Sequence, residues 1–402
     1  MFVISMSLLR SLTWAVIGSI IIYCAYRVIY NAWIHPLSKF PGPILCKVTN
    51  VPYAAWFLGG RQPYKMTELH AQYGPIVRVS PDELSFNSAQ SWQDIYGHRA
   101  DRKILVKGRF YDGGSYAGIG TKSIVSERDP SIHRQMRSYL AGAFSDRSFK
   151  EQQGLISMNV DRFIELAGLK SELPAGFDVV ALLEMLTFDI TGDLAFGQSF
   201  NCLRDDQYHP WISISLGALA QGALVEVFNR FPTIAKLCKV VLRHKIEMMT
   251  ADTRKNEYLA LDIIKRRILA DGTRSDFLTR ILDERDKSAI SDRQIAAHAS
   301  DLVVAGSDTS ATALATCLHY LLRDDAVMAK LTTEVRQSFA QYDEISNTAT
   351  VPLKYLGAVI EEALRIYPPL PLGLPRIVPE GGAIIDGCFI PQGARIYRQL
   401  VP

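Results

Sequence analysis

Residues 305–310, AGSDTS, place one carboxyl and three hydroxyl groups inside an otherwise apolar helical pattern. Glycine in a helix interior costs up to about 1 kcal/mol relative to alanine, and Ser, Asp and Thr are also poor helix formers. A cluster of poor helix formers in a buried helix is costly unless it has a functional role. Gly306 would let a ligand approach the backbone closely. The alternative is a kinked core helix whose hydroxyls bond carbonyls one turn earlier.

A second pair of charged residues lies in the segment VIEEALRIYPPLPLGLPR, residues 359–376. Glu362 and Arg365 are three residues apart, a spacing that permits an ion pair on one helix face. A buried pair is tolerated only when both partners are satisfied, so the pattern predicts an interior polar lock with a structural role. The apolar neighbours that would bury it are Val359, Ile360, Leu364 and Ile366.

Other sites with a recognisable motif are absent from the sequence. Neither G-x-S-x-G nor H-E-x-x-H occurs, so the sequence offers no motif for hydrolase or zinc-protease catalysis. His298 and His319 are more typical of packed or surface residues than of metal ligands. The loop GGSYAGIGTKS spaces Gly113 and Gly118 as a phosphate loop does, but Ile119 stands where the lysine is needed, which indicates a flexible loop.

The elements that must position these residues are mostly helices. PIVRVSPDELSF alternates apolar and polar residues on both sides of Pro81, which predicts two short strands joined by a turn. Long helical patterns begin near Ser131, one of them stopping at Gly197 and another opened by Ser291. The sequence therefore predicts a mainly α fold with small β-sheets. The apolar face predicted for residues 131–144 comprises Ile132, Met136, Tyr139, Leu140 and Phe144.

Composition narrows the class of protein. The 402 residues are 48% hydrophobic and 21% charged, which is enough to build a large globular core. A net charge of +3, from 44 basic and 41 acidic residues spread along the chain, argues against a nucleic-acid partner. Six cysteines without C-x-x-C spacing are typical of a reducing compartment.

The N-terminus predicts a membrane anchor. Residues 11–26 carry no charge and arginines bracket them, so with their apolar neighbours they can span a bilayer core of about 30 Å. A cleaved signal peptide is the alternative, although no small-residue cleavage site follows. Arg27, Lys39 and Lys47 lie on the C-terminal flank, which predicts that the body faces the cytoplasm. We predict an anchor at 1–30, a proline-rich hinge at 31–45 and a folded domain at 46–402.

Taken together, these segments identify a family resemblance. The chain resembles a cytochrome P-450, a haem-thiolate monooxygenase, and is similar to the microsomal type of fungal secondary metabolism. Several of the matching motifs are weak alone, but they stand in family order along essentially the whole chain. They are the PGP hinge, YGPIVRVSPDELSF, HRQMRSYLAGAFS, LAFGQSF, AGSDTS, EEALRIYPP and LPRIVPEGG.

The resemblance implies roles for the residues of AGSDTS. Asp308 and Thr309 match the acid and the alcohol that relay protons to dioxygen, so that its O–O bond breaks. Ala305 and Gly306 match the small residues that leave room for the haem face and for oxygen.

Basic residues elsewhere match the family's haem-binding positions. His133 and Arg137 resemble the helix position that binds haem propionates, and Arg376 matches a second propionate partner, as an arginine–carboxylate pair would. Surface solvation is the alternative for His133 and Arg137. Glu362 and Arg365 match the structural E-x-x-R lock.

The resemblance also implies substrate and partners. The loop 111–121 and the segment 208–231 correspond to regions that line the substrate pocket, and their Phe, Leu, Ala and Val content suggests an apolar substrate. The resemblance alone implies a terpenoid or polyketide intermediate as the substrate class. Electrons would come from NADPH through a separate NADPH-cytochrome reductase. The expected location is the endoplasmic reticulum membrane, single-pass, with the catalytic body in the cytosol.

One departure from the family concerns the haem ligand. The family binds haem iron through a cysteine in the pattern F-x-x-G-x-R-x-C-x-G, but only 37 residues follow Arg365 and none of them forms it. Cys388, in IIDGCFIPQG, sits where the family has a hairpin that leads into a strand. IPQGARI aligns with that strand, so we expect the chain to stop inside the fold, before the axial cysteine. Two hypotheses follow: a monooxygenase, or a non-catalytic truncated remnant that cannot ligate haem.

Overall fold

The computed structural model describes residues 6–99, 104–113, 121–241, 243–269 and 276–399. Residues 1–108 and 372–400 form one compact unit, and residues 109–371 form a second. The predicted mainly α architecture with small sheets is confirmed. The predicted boundaries of anchor, hinge and domain stay a prediction.

The first unit begins with a long apolar helix. Among the described residues, one helix, Trp14–Ile34, is long and apolar enough to span a membrane, with a mean hydropathy of 1.4. Tyr30–Ile34 forms a π-helical turn, so the non-helical part of the predicted hinge shrinks to residues 35–43, where Pro41 and Pro43 restrict the backbone. The helices of this unit are α1 (Met6–Ile29), α2 (Ile44–Val48), α3 (Val51–Leu58), α4 (Gln62–Tyr73) and α5 (Ala89–Tyr96).

The strands of the first unit are β1 (Ile76–Ser80), β2 (Glu83–Phe86), β3 (Val106–Lys107), β4 (Arg376–Ile377), β5 (Ala383–Ile385), β6 (Cys388–Ile390) and β7 (Arg395–Arg398). Five of them form a sheet in the order β1-β2-β7-β4-β3. β2 and β7 are parallel, with Glu83 opposite Arg395, and the other pairs are antiparallel. The strand pair predicted from PIVRVSPDELSF is confirmed as β1 and β2.

β5 and β6 form a hairpin, as expected around Cys388. Its two turn residues, Asp386 and Gly387, have φ of 51° and 72°. Two positive φ values are what a two-residue hairpin turn needs, and Asp-Gly is a favoured pair for it.

Arg78 on β1 is fully buried in this unit. Its Nη1 donates to the Asn31 carbonyl at 2.8 Å, while Nε and Nη2 donate to the Pro81 carbonyl at 3.2 and 2.7 Å. Burial lowers the pKa of Arg78 to about 10. The Arg78 amide donates to the Pro41 carbonyl at 2.7 Å, and a Cβ on Gly42 would collide with the Arg78 carbonyl. The guanidinium thus connects the end of the apolar helix to the sheet. The PGP segment, residues 41–43, packs against the same strand, β1.

The second unit is helical throughout its regular elements. Its long core helices are α8 and α14, which pack together and share a cluster of buried apolar side chains with α12 and α13. Asp178 caps the start of α8, and Gly197, with φ of 71°, ends it as predicted. The helices are α6 (Pro130–Leu140), α7 (Asp146–Ser171), α8 (Val179–Phe196), α9 (Cys202–Asp205), α10 (Pro210–Arg230), α11 (Pro232–Val241), α12 (Arg243–Leu269), α13 (Phe277–Asp283), α14 (Asp292–Leu321), α15 (Asp325–Ser338), α16 (Asn347–Thr350) and α17 (Lys354–Ile366).

The predicted apolar face of residues 131–144 is confirmed in part. Met136, Tyr139 and Leu140 are buried, but Ile132 and Phe144 are 45% and 43% exposed. The reason is that α6 ends at Leu140, so Phe144 leaves the helical repeat in a 3-10 turn, whereas Ile132 lies in the first turn at the surface.

Candidate functional site

AGSDTS lies in the middle of α14. Ser291 begins this helix as predicted, its hydroxyl accepting a hydrogen bond from the Gln294 amide at 3.2 Å. The Thr309 hydroxyl donates to the Ala305 carbonyl, four residues earlier. The helix nevertheless stays α-helical from Asp292 to Leu321, so this bond satisfies the Thr309 hydroxyl without opening the helix.

Gly306 faces α8. A Cβ at this position would lie 2.5 Å from the Thr191 Cγ2 of α8. The Thr191 and Ser307 hydroxyls are 2.8 Å apart, and Ser307 also donates to the Val303 carbonyl at 2.5 Å. Gly306 therefore has a helix-packing contact that sequence reasoning missed. Its predicted role beside haem stays a prediction.

Asp308 and Thr309 follow Ala305 on α14 by three and four residues. These spacings place each of the two beside Ala305 on the helix surface. Ala305 and Asp308 are exposed and Thr309 is half-buried. The structure therefore brings an acid, an alcohol and a small residue together at one accessible place.

Two of the three predicted propionate partners, His133 and Arg137, lie on α6. Asp129 caps this helix, its carboxylate accepting hydrogen bonds from the Ser131 and Ile132 amides at 2.8 and 3.1 Å. His133 is half-buried and Arg137 is exposed. Four residues apart, they project from one face of the helix, as the sequence predicts.

His298 joins α6 to α14. The ring is fully buried, its Nε2 lies 2.7 Å from the Tyr139 hydroxyl, and its Nδ1 accepts a hydrogen bond from the Ile124 amide at 3.2 Å. Burial lowers the pKa of His298 to about 4. The prediction that His298 is a packed residue is correct, but its two partners were not foreseen.

The E-x-x-R pair forms, but not in the interior. Arg365 Nε and Nη2 each donate to a Glu362 oxygen at 2.7 Å, and hydrogen bonding to Arg365 lowers the pKa of Glu362. The Glu362 side chain is 55% exposed and the Arg365 side chain is 59% exposed, so the expectation of a buried lock is wrong in this structure. The face of α17 that is buried carries Ala363, and Leu364 is 40% exposed on the outer side.

The other end of α17 is held by α15. Glu334 accepts hydrogen bonds from the Tyr355 and Leu356 amides at 2.9 and 2.8 Å. These amides belong to the first turn, which has no partners within its own helix. This cap was not predicted from the sequence.

The remaining predicted positions are dispersed. Arg376 belongs to the first unit, on β4, with its guanidinium 5.3 Å from the centre of the Tyr96 ring. Of the loop 111–121, residues 114–120 lie outside the described residues. The segment 208–231 is largely α10, and it contains an ion pair of Glu226 and Arg230, 2.7 Å apart, with both side chains buried. A charge pair there was not expected from the apolar composition.

The thiol groups of the buried cysteines are poorly disposed to ionise. Burial raises the pKa of Cys46 to about 11 and that of Cys202 to about 12, and it also raises the pKa of Cys317. Burial thus disfavours the thiolate form of these three side chains.

Comparison with known proteins covers nearly the whole chain. Residues 41–401 match the family model described as Cytochrome P450. The cytochrome P450 monooxygenase ORF11 of Penicillium roqueforti is 45% identical over 371 residues, which is 92% of this chain and 76% of that protein. The cytochrome P450 monooxygenase BipB of Cochliobolus sativus is 37% identical over 394 residues, 96% of this chain and 78% of that protein. The cytochrome P450 monooxygenase astJ of Aspergillus oryzae is 35% identical over 376 residues, 92% and 73% of the two chains.

Proposed function

This chain belongs to the cytochrome P450 family, and we propose that it inserts one oxygen atom of dioxygen into a C–H bond of an apolar small molecule. The second oxygen atom leaves as water, which consumes two protons and two electrons. The electrons come from NADPH through a separate reductase. A terpenoid or polyketide intermediate of fungal secondary metabolism is the proposed substrate class. The observation that carries this proposal is that Ala305, an exposed small residue of α14, has an acid, Asp308, three residues after it and an alcohol, Thr309, four residues after it.

Family membership implies a haem cofactor, and the residues of the second unit fit one. Haem, when bound, supplies the centre that activates dioxygen. Ala305, which is exposed on α14, has only a methyl side chain and so leaves room for a flat ring at that position. Arg137 and His133 on α6 suit the propionates, because a guanidinium can pair with a carboxylate through two parallel hydrogen bonds.

Asp308 and Thr309 of α14 would have different roles in proton transfer. Asp308 is exposed, so its carboxyl can exchange protons with solvent. Thr309 donates to the Ala305 carbonyl, which holds the hydroxyl beside the small residue. With the cofactor bound, the Thr309 hydroxyl would turn from that carbonyl to donate its proton where dioxygen is reduced, and it would take a proton from Asp308 in return. A positioned acid or base of this kind contributes about 10²–10⁴-fold.

We further propose that the chain is anchored in the endoplasmic reticulum membrane by one helix, with the folded body in the cytosol. The apolar helix Trp14–Ile34 supports this proposal, since its length and composition suit a bilayer. The flanking Lys39 and Lys47 support the orientation.

A second candidate function is a non-catalytic protein. The 402 residues contain no F-x-x-G-x-R-x-C-x-G pattern, and burial raises the pKa of Cys46 and Cys202. In this alternative the chain as given binds no thiolate-ligated haem.

The full chain, expressed in microsomes with a fungal NADPH reductase, tests the two candidates. A monooxygenase gives an NADPH-dependent product with one oxygen-18 atom from labelled dioxygen and none from labelled water. Thr309→Ala and Asp308→Asn should each lower its yield about 10²-fold or more, while His319→Gln, an exposed change on the same helix, should not.

The haem spectrum separates the alternative. The non-catalytic candidate predicts no carbon-monoxide difference band of the thiolate-ligated type. A normal band together with oxygen-18-labelled product refutes the non-catalytic candidate. An absent band together with no labelled product refutes the monooxygenase for this chain.

A further inference from the structure

The connection between α6 and α14 depends on one imidazole ring. His298 lies seven residues before Ala305, which is about 10 Å along the helix axis. Its ring centre is 5.6 Å from that of Tyr139, in an edge-on arrangement. The predicted proton relay and two of the three predicted propionate partners, His133 and Arg137, thus lie on the two helices that this ring joins.

The hydrogen bonds of His298 admit one tautomer. The Ile124 amide can only donate, so Nδ1 must be unprotonated and accept. A neutral ring then carries its proton on Nε2 and donates it to the Tyr139 oxygen, 2.7 Å away. The low pKa of His298 agrees with a neutral ring. Both ring nitrogens therefore form hydrogen bonds with residues of other segments.

The segment that His298 holds is itself compact. The Ser123 amide donates to the Ser126 hydroxyl at 2.9 Å, and the buried Glu127 carboxylate accepts from the Arg128 and Asp129 amides, both at 2.7 Å. Asp129 in turn caps α6. Residues 123–140 thus form one hydrogen-bonded module that meets the His298 ring at two points, Ile124 and Tyr139.

We propose that His298 is a positioning residue that sets the register of residues 123–140 against α14, and so places Arg137 and His133 relative to Asp308 and Thr309. The significance of that register rests on the proposed function. A site needs its binding groups held within a fraction of an ångström by supporting hydrogen bonds, and two bonds from one buried ring give such support. A ring that only filled space would need neither bond.

Hydrogen exchange in the full chain tests the bonds without any cofactor. His298→Phe keeps a ring of similar size but has no nitrogen, so we expect the Ile124 amide to exchange about tenfold faster. His298→Asn places an oxygen near the position of Nδ1 and should retain protection of that amide. His298→Gln reaches only the position of Nε2 and should lose it. The exposed His319→Gln serves as the matched control.

Haem titration tests the positioning itself. We expect His298→Phe and Tyr139→Phe to raise the dissociation constant for haem, followed by its visible absorption, roughly tenfold. An unchanged dissociation constant in both variants, or an unchanged exchange rate at Ile124 in His298→Phe, would overturn the proposal. A wild-type chain that binds haem but forms no oxygenated product would refute the proposed function and leave this result standing.

Discussion

At the scale of single residues, buried polar groups with two partners set the geometry. His298 and Arg78 are both fully buried, and each fixes backbone segments that are distant in sequence. Their hydrogen bonds run to carbonyl, amide and hydroxyl groups, so they depend on the position of the main chain and on one charge state of the side chain.

The charge state of His298 makes stability depend on pH. Its pKa is about 4 in the folded chain and about 6.5 when exposed, so the unfolded chain binds the extra proton more readily. This contribution to stability is complete above pH 6.5 and is lost as the pH falls toward 4. The loss amounts to about 3 kcal/mol at most.

Urea unfolding at pH 7 and at pH 4.5, in wild type and in His298→Gln, measures that contribution. Burial also lowers the pKa of His35, His70 and His209, so the difference between the two proteins, not the slope of either, isolates His298. Equal pH dependence in both would show that the ring is not buried in its neutral form.

At the scale of the elements, the contact between α8 and α14 depends on the absence of a side chain at Gly306. In Gly306→Ala the new Cβ would meet Thr191 Cγ2 at 2.5 Å, a contact that real side chains avoid. We expect a loss of about 1–3 kcal/mol in unfolding free energy, despite the better helix propensity of alanine.

Thr191→Ser removes the colliding methyl group and keeps the hydroxyl that bonds Ser307. The double variant should therefore recover the stability of wild type, as measured by chemical denaturation. If Gly306→Ala is instead more stable than wild type, the two helices are not in contact at this point.

Glu334 of α15 stabilises the first turn of α17. Glu334→Ala removes two acceptors from first-turn amides and should cost about 1–2 kcal/mol, whereas Glu334→Gln retains one acceptor and should cost less. Thermal unfolding of both variants checks this order. A reversed order would mean that the charge of Glu334, and not its hydrogen bonds, matters.

Local signals explain which elements could be predicted. Ser291 and Gly197 carry start and stop signals for helices, and both predictions are confirmed. The partners of His298 could not be predicted, because Tyr139 and Ile124 lie 159 and 174 residues away along the chain. The burial of Glu362 was misjudged because apolar neighbours indicate that a helix packs, but not which of its faces is covered.

At the scale of the whole chain, Arg78 joins segments that the linear order keeps apart. Arg78→Met would leave the carbonyls of Asn31 and Pro81 buried without this donor, and we expect a loss of about 2–4 kcal/mol. Arg78→Lys should not restore it, since a single ammonium lacks the planar fork that reaches both carbonyls.

Limited proteolysis of the full chain within residues 35–43 provides the measurement. Cleavage should be faster in both Arg78 variants than in wild type, whereas Arg61→Met, an exposed change in the same unit, should leave the rate unchanged. Equal cleavage in all four proteins would show that Arg78 does not hold this segment.

The parallel pairing of β2 with β7 has a consequence for synthesis on the ribosome. Glu83 and its partner Arg395 are separated by 312 positions, and translation adds roughly 5–20 residues per second. The hairpin of β1 and β2 therefore waits roughly 15 to 60 s for its neighbour. During that interval β2 presents an open edge, and Leu84 and Phe86, fully buried in the finished protein, have no cover from β7. The nascent chain thus has to be shielded near its beginning until the β7 segment has been made.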